Sequence, residues 1–400
     1  MADAHRHEWA FVLAATVRVT RDLDLAEECV QDAYARALVK WPEDGVPRSP
    51  GGWLTTVARN RALDVVRRES ALRRTLPLLL LDETHEEPDD DGDIPDDRLR
   101  LIFTCCHPAL AVEAQVALTL RLLCGLTTVE VARAFLVAEP TMAARITRAK
   151  KKIAGAGIPY RVPPAAELPA RITAVLDVVH LLFTTGHTAP VGDELLRADL
   201  LERAQDLARM LHCLLPESAE AAGLLALILL TDARRAARTD SAGRLVLLAD
   251  QDRTLWDHKA IEEGAGLVRW SLRTRPPGRY PLMAAIAAVH SEAASEQETD
   301  WRELVALYDL LMRTWPSPVV ALNRAVAVGF AEGPAAGLRA LDLLAGEPQL
   351  ASYGYLAAAR ADFLRRLGCR DRARAAYEEA LLLTRNGAER AFLTDRLNST

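Results

Sequence analysis

TTVEVARAFLVAEPTMAARITRAKKKI, residues 127–153, contains the signals for two helices joined by a short turn. Thr127 and Glu130 form a Thr-x-x-Glu capping box, the pattern that starts a helix by satisfying its free N–H groups. A turn over 137–139 then leads to Pro140, a residue favoured at the first position of a helix. This layout predicts a helix-turn-helix, whose second helix enters the major groove of DNA. The basic residues of that second helix are Arg145, Arg148, Lys150, Lys151 and Lys152.

Two interpretations of this motif are open. Its basic side chains suit contacts with DNA phosphates, and a solvated basic helix in an ordinary bundle would show the same pattern. The local charge favours the first interpretation. Residues 98–161 hold ten Lys or Arg against three Asp or Glu, although the net charge of the whole chain is −6. Phosphate binding depends on the local field of a surface more than on the total charge.

The composition of the 400 residues predicts an all-α fold. Aromatic residues make up only 5% of the chain, and its richness in Ala, Leu and Arg favours helix over sheet. No apolar run approaches the ~20 residues that span a bilayer, and the N-terminus lacks the pattern of a secretory signal. We therefore expect a cytoplasmic protein that does not bind a membrane.

The cysteines and histidines predict no metal site and no cofactor. The six cysteines include no CxxC pair. Cys105 and Cys106 precede His107, but adjacent cysteines rarely supply two ligands to one zinc ion. We expect a structural role for these three residues.

Changes in composition divide the chain into four predicted segments. Residues 1–75 contain three predicted helices, and residues 76–97 hold ten acidic residues and no basic one. Such an acidic stretch cannot bury apolar surface, so it predicts a flexible linker. Residues 98–161 contain the helix-turn-helix, and residues 162–400 have the outline of stacked helical pairs.

The last segment predicts an array similar to tetratricopeptide (TPR) repeats. Gly368, Ala373, Tyr377 and Ala380 have the spacing of such a repeat, in which small residues let two helices approach. A polar cluster earlier in this segment fits a ligand pocket or a buried network between repeats. The cluster consists of Asp250, Asp252, Arg253, Trp256 and Asp257.

Two of the N-terminal helices have charged outer faces. The second, from about Leu23, has apolar positions at helical spacing, and Trp41-Pro42 is expected to end it. Outside its apolar face lie Asp24, Glu27, Glu28, Gln31 and Asp32. The third begins near Pro50, and its outward residues are Arg59, Asn60, Arg61, Asp64, Arg67 and Arg68. Taken alone, a solvated charged face explains each set as well as a binding surface does.

Several longer stretches resemble one protein family. DLDLAEECVQDAYARAL (22–38) and GGWLTTVARNRALDVVRR (51–68) resemble domain 2 of the extracytoplasmic-function (ECF) sigma factors. RLRLIFTCCHPAL (98–110) and AARITRAKKKIAGAGIPYRVP (143–163) resemble domain 4 of the subgroup that carries a TPR-like C-terminal extension. LVLLADQDRTLWD (245–257) continues the resemblance into the extension.

The resemblance implies an alternative sigma factor that binds core RNA polymerase and directs it to promoter DNA, with no catalytic activity of its own. The acidic face of the second helix would dock on polymerase, and the outer face of the third would read the −10 element. Thr141 and the five basic residues of the helix-turn-helix would contact the −35 element. Ala144 stands where many relatives carry Gln, which can pair with adenine, so the −35 sequence is left open.

The resemblance also implies a regulatory role for the extension, with room for a protein or peptide partner. The acidic linker either mimics nucleic acid in the polymerase cleft or acts as a solvated tether, and composition does not separate these roles.

Two other functions stay open. A helix-turn-helix regulator with a TPR-like sensing domain would explain residues 98–400 and would bind DNA without core polymerase. An enzymatic or ligand-binding extension is the other alternative, although no Gly-rich phosphate loop, metal-ligand spacing or nucleophile motif supports it.

Overall fold

The computed structural model describes residues 2–75, 97–135, 137–189, 192–274 and 276–400, without the side chains of 2–7, 69–75 and 134. In these ranges the chain forms 18 α-helices and no β-strand, which confirms the predicted all-α fold. The predicted acidic linker lies outside the described residues, except for Asp97. The chain divides into two compact units, Met1–Val178 and Val179–Thr400. The predicted boundary at residue 162 stays a prediction.

The first unit begins with the three helices predicted for residues 1–75. They are α1 (Ala2–Thr20), α2 (Leu23–Asp44) and α3 (Pro50–Thr75). Asp22 caps α2 by accepting a hydrogen bond from the Leu25 backbone N–H at 2.8 Å. The fully buried side chains that these helices share include Leu13 of α1, Val30 of α2 and Leu54 of α3.

The prediction that Trp41-Pro42 ends α2 is wrong. The helix continues through Pro42 to Asp44 and ends where Gly45, with a φ of 83°, donates its N–H to the Trp41 carbonyl. A proline removes one helical hydrogen bond but still has a helical φ, so one more turn can follow it.

Residues 97–155 form a second group of helices in the same unit. They are α4 (Asp97–Cys105), α5 (Val112–Leu118), α6 (Thr128–Ala134) and α7 (Glu139–Gly155), and a π-helical segment, Thr119–Leu123, follows α5 directly. The next helix, α8 (Leu168–His187), contains the boundary between the two units. This helix is long and apolar enough to cross a membrane. A core helix of a soluble protein can have the same length and composition.

The second unit is a helical array in which successive helices pack on one another. Its members are α9 (Ala198–Leu214), α10 (Ala219–Asp232), α11 (His258–Ser271), α12 (Arg279–Glu292), α13 (Trp301–Thr314), α14 (Pro318–Ala331), α15 (Pro334–Asp342), α16 (Gly354–Arg366), α17 (Arg370–Leu383) and α18 (Gly387–Asn398). In the α16–α17 pair, Ala373, Tyr377 and Ala380 are buried as the repeat pattern requires, and Gly368 makes the turn with a φ of 74°.

Two close approaches between helices depend on glycine. A Cβ atom at Gly223 of α10 would lie 2.4 Å from the Pro281 nitrogen of α12, and one at Gly329 of α14 would lie 2.1 Å from the Phe363 ring of α16. Atoms cannot approach so closely, so these positions fix how tightly the helices pack.

Candidate nucleic-acid and polymerase interface

Helices α6 and α7 form the predicted helix-turn-helix. Thr127 and Glu130 make both bonds of the capping box, with the Thr127 N–H 2.7 Å from a Glu130 carboxylate oxygen and the Glu130 N–H 3.2 Å from the Thr127 hydroxyl. Pro140 lies in the first turn of α7. The inner face of α7 is apolar and buried, and consists of Met142, Ile146, Ala149 and Ile153.

Four of the six residues predicted to contact the −35 element are exposed on α7. These are Thr141, Arg148, Lys151 and Lys152. Arg145 is half-buried, with its guanidinium carbon 5.7 Å from the centroid of the Phe135 ring. The Lys152 ammonium donates to the carbonyl oxygen of Ala109. The outer face of α7 is therefore basic and accessible within this unit.

Lys150 is the exception among the basic residues of α7. Its side chain is only 10% exposed, and its ammonium lies 2.6 Å from an Asp24 carboxylate oxygen and also donates to Glu27. Burial acts to lower the pKa of Lys150, but the Glu27 and Asp24 carboxylates outweigh it, so the pKa is raised and the side chain stays charged. A residue predicted to contact DNA is thus paired with two residues predicted to contact polymerase.

The prediction that Glu27 lies outside the buried face of α2 is wrong. Glu27 is 4% exposed, and its carboxylate lies 2.8 Å from the Arg121 guanidinium, besides accepting from Lys150. A carboxylate can be buried in this way because two cations compensate for its lost hydration. Sequence reasoning missed Arg121, which lies in the π-helical segment and carries no local signal of a partner in α2.

The remaining predicted polymerase-binding residues are accessible to different degrees. Asp24, Glu28 and Gln31 are exposed, whereas Asp32 is half-buried and lies 3.0 Å from Nε of Arg61 on α3. This ion pair joins the acidic face of α2 to the outer face of α3. Five of the six residues predicted to read the −10 element are exposed: Arg59, Asn60, Asp64, Arg67 and Arg68.

Further polar contacts join the N-terminal helices to residues 97–161. The Trp9 indole N–H donates to the Leu122 carbonyl oxygen at 3.0 Å, and the Tyr160 hydroxyl donates to that of Ala14 at 2.8 Å. The two segments predicted to bind different promoter elements therefore pack into a single compact unit.

The Cys105-Cys106 pair is packed into the first unit. Both side chains are at most 1% exposed, and the Cys106 sulfur lies 3.6 Å from the Thr119 hydroxyl oxygen. Burial raises the pKa of Cys106 to about 11, so its thiol stays protonated at neutral pH. Among the described residues, no group of His, Cys, Asp and Glu has a geometry that holds a metal ion.

The polar cluster of the second unit does not form a buried network, because its three aspartates are exposed. Asp252 caps a 3-10 turn by accepting from the Thr254 N–H at 2.9 Å, and Asp257 caps α11. Trp256 is buried beneath the Arg253 guanidinium, which lies 4.4 Å from the ring centroid. Asp250 and Arg253 also line a cavity of about 540 Å³.

Comparisons with known proteins match most of the chain. The family model for Sigma-70 region 2 matches residues 6–72, and that for Sigma-70 region 4 matches residues 100–153. A family of unknown function (DUF6596) matches residues 171–272. An uncharacterized protein from Rhizobium meliloti (strain 1021) is 43% identical over 392 residues, which cover 96% of this chain and 92% of that protein. No solved structure matches the chain.

Proposed function

This chain belongs to the sigma-70 proteins, as an ECF-like sigma factor with a C-terminal extension, and from that premise we propose which surfaces it uses. Its sigma regions support promoter-directed transcription through core RNA polymerase. In our proposal α2 docks on polymerase through its acidic face, α3 reads the −10 element and α7 the −35 element. The protein acts in the cytoplasm and catalyses no reaction of its own.

The observation that best supports this assignment is the side-chain distribution on α7. Its apolar face is buried, whereas Arg148, Lys151 and Lys152 point outward together with Thr141. A recognition helix has this division, since one face must hold the domain together while the other meets bases and phosphates.

The proposal requires a change in the first unit before promoter binding. Lys150 cannot contact a DNA phosphate while it is bound to Asp24 and Glu27, and Glu27 cannot contact polymerase while it is buried beneath Arg121 and Lys150. We therefore propose that residues 97–161 separate from α1 and α2 when the protein joins polymerase, and that the extension influences this step.

Run-off transcription with core polymerase and the promoter upstream of the protein's own operon tests the function. A discrete transcript that appears only when the protein is added supports it. Arg148→Ala should weaken use of a −35-dependent promoter by ~1–3 kcal/mol if Arg148 reads a base. Arg374→Ala, which alters an exposed arginine of α17, is the matched control. Sequence-specific DNA binding in the absence of core polymerase, without transcription, would instead favour the helix-turn-helix regulator.

A further inference from the structure

The second unit contains a cavity large enough for a small organic ligand. Its volume is about 540 Å³, within the range of ~300–1,000 Å³ that is typical of small-molecule sites. The walls come from the loops that contain Arg253 and Glu296 and from helices α13, α14, α16, α17 and α18.

One wall of the cavity is a stack of aromatic and cationic groups. The rings of Trp301 and Phe330 are nearly parallel, with centroids 4.2 Å apart. The Arg366 guanidinium lies 4.3 Å from the Phe330 centroid, so it covers the face of that ring which Trp301 leaves open. The stack holds these three groups in fixed positions, and it presents apolar surface next to a positive charge.

The charges that line the cavity are not balanced among themselves. Four arginines, Arg253, Arg365, Arg366 and Arg396, face three carboxylates, Asp250, Glu296 and Asp362. Arg365 and Arg366 share the single carboxylate of Asp362, each at 2.7 Å. Arg253 and Arg396 instead rest on the rings of Trp256 and Phe392. One positive charge thus remains in excess. An anion that entered the cavity would neutralise this excess positive charge.

We infer that this cavity binds a small organic acid whose apolar or aromatic body packs against the side of the Trp301–Phe330 stack and whose anionic group meets Arg366 and Arg396. A small organic acid would then be the signal that the extension senses. This part of the inference rests on the proposed regulatory role. Its binding can be measured without polymerase or DNA, so a failure of the sigma proposal leaves this test unaffected.

Two fluorescent probes distinguish the contribution of the negative charge to binding from the contribution of the apolar body. 8-Anilinonaphthalene-1-sulfonate carries an aromatic body and one negative charge, and N-phenyl-1-naphthylamine has the same body without the charge. We expect the full chain to bind the sulfonate at a single saturable site. The neutral probe should bind at least about tenfold more weakly, because it cannot accept charge-assisted hydrogen bonds from the arginines.

Substitutions locate the binding site. Arg366→Gln and Arg396→Gln should each weaken sulfonate binding at least about tenfold and weaken binding of the neutral probe much less. Arg374→Gln is the matched control, since Arg374 is an exposed arginine of the same array that pairs with Glu378 and does not line the cavity. Circular dichroism checks that each variant is folded.

Three results would overturn the inference. The two probes could bind equally well, Arg396→Gln could bind the sulfonate like the unaltered chain, or Arg374→Gln could lose as much affinity as Arg396→Gln. Each would mean that the probe reports general apolar surface and not this cavity. Arg396 is not part of the Asp362 ion pairs. Arg396→Gln therefore still tests the inference if Arg366→Gln does not fold.

Discussion

The ammonium of Lys150 on α7 lies 2.6 Å from a carboxylate oxygen of Asp24 on α2. This ion pair joins the helix proposed to read the −35 element to the helix proposed to bind polymerase. Glu27 and Arg121, whose side chains are largely shielded from water, extend it into a small network. While the network is closed, Lys150 is not available to DNA and Glu27 is not available to polymerase.

Selective lysine modification should reveal this network. We expect acetic anhydride to modify the exposed Lys151 at least roughly tenfold faster than Lys150, since each ~1.4 kcal/mol that favours the closed form reduces the open fraction tenfold. Glu27→Gln should raise the rate at Lys150 and leave Lys151 unchanged, as measured by peptide mass spectrometry. Glu28→Gln, an exposed neighbour on the same helix, is the control. Equal rates at the two lysines in the unaltered chain would contradict the closed arrangement.

The salt dependence of promoter binding should report the phosphate contacts of α7. Each neutralised phosphate contributes a slope of about −0.9 to the dependence of log K on log salt concentration. Lys151→Gln should therefore reduce the slope by about one unit and weaken binding to all sequences similarly. Binding isotherms of the polymerase complex between low and moderate salt measure it. An unchanged slope would remove Lys151 from the DNA interface.

The capping box should control the local stability of α6. Thr127→Ala removes the acceptor for the Glu130 N–H, a loss of ~1 kcal/mol that corresponds to about fivefold in an equilibrium constant. Amide hydrogen exchange over residues 128–134 should accelerate by about that factor, while α7 exchanges as before. Thr127→Ser keeps the hydroxyl and should exchange like the unaltered chain. Equal acceleration in both variants would mean that the cap is not the cause.

Two glycines of the extension should respond to the same substitution in opposite directions. At Gly223 a Cβ would lie 2.4 Å from the Pro281 nitrogen, so Gly223→Ala should destabilise the array by ~1–3 kcal/mol or more. Gly266 of α11 is exposed and has no atom within 4 Å of the added Cβ, so Gly266→Ala should stabilise it by ~0.5–1 kcal/mol. Thermal unfolding of the full chain measures both shifts. Similar shifts of the same sign would contradict the tight α10–α12 packing.

His290 should make the extension sensitive to mild acid. Burial, with the nearby Arg234 and Arg253 charges, lowers the pKa of His290 to about 4. The unfolded chain, in which the pKa is about 6.5, therefore binds more protons between these values, so stability falls as the pH drops from about 6.5 towards 4. We expect a loss on the order of 2 kcal/mol from this residue between pH 7 and pH 5. His290→Gln should remove that part of the loss, which unfolding at the two pH values measures.

Local signals explain which parts of the fold could be predicted. The capping box, Pro140 and the apolar spacing of α7 act over a few residues, and the structure contains each of them. The burial of Glu27 has no such signal, because Lys150 lies 123 positions away in the sequence. Leu38 continues the apolar spacing of α2 and is nevertheless 60% exposed, which the spacing alone does not predict.

For the candidate binding residues, too, the sequence predicted the local features and not the contacts between helices. Helical periodicity correctly predicted the outward positions of Arg59, Asn60, Arg67 and Arg68 on α3. It did not predict that Arg61 would pair with Asp32 of α2, since the angle and distance between two helices depend on the core that they share. The arginines around the cavity lie on α16, on α18 and in the turn at Arg253, and no sequence pattern brings these three elements together.

The hydrogen bond from the Trp9 indole to the Leu122 carbonyl gives the protein a built-in spectroscopic reporter. The indole proton of Trp9 should resonate at a position set by that carbonyl and exchange slowly with solvent. In the proposed separation of α1 from the π-helical segment, the indole proton would become exposed to water, and its signal would shift and broaden. Nitrogen-15 labelling of tryptophan alone would therefore follow the assembly of the transcription complex without any change to the sequence.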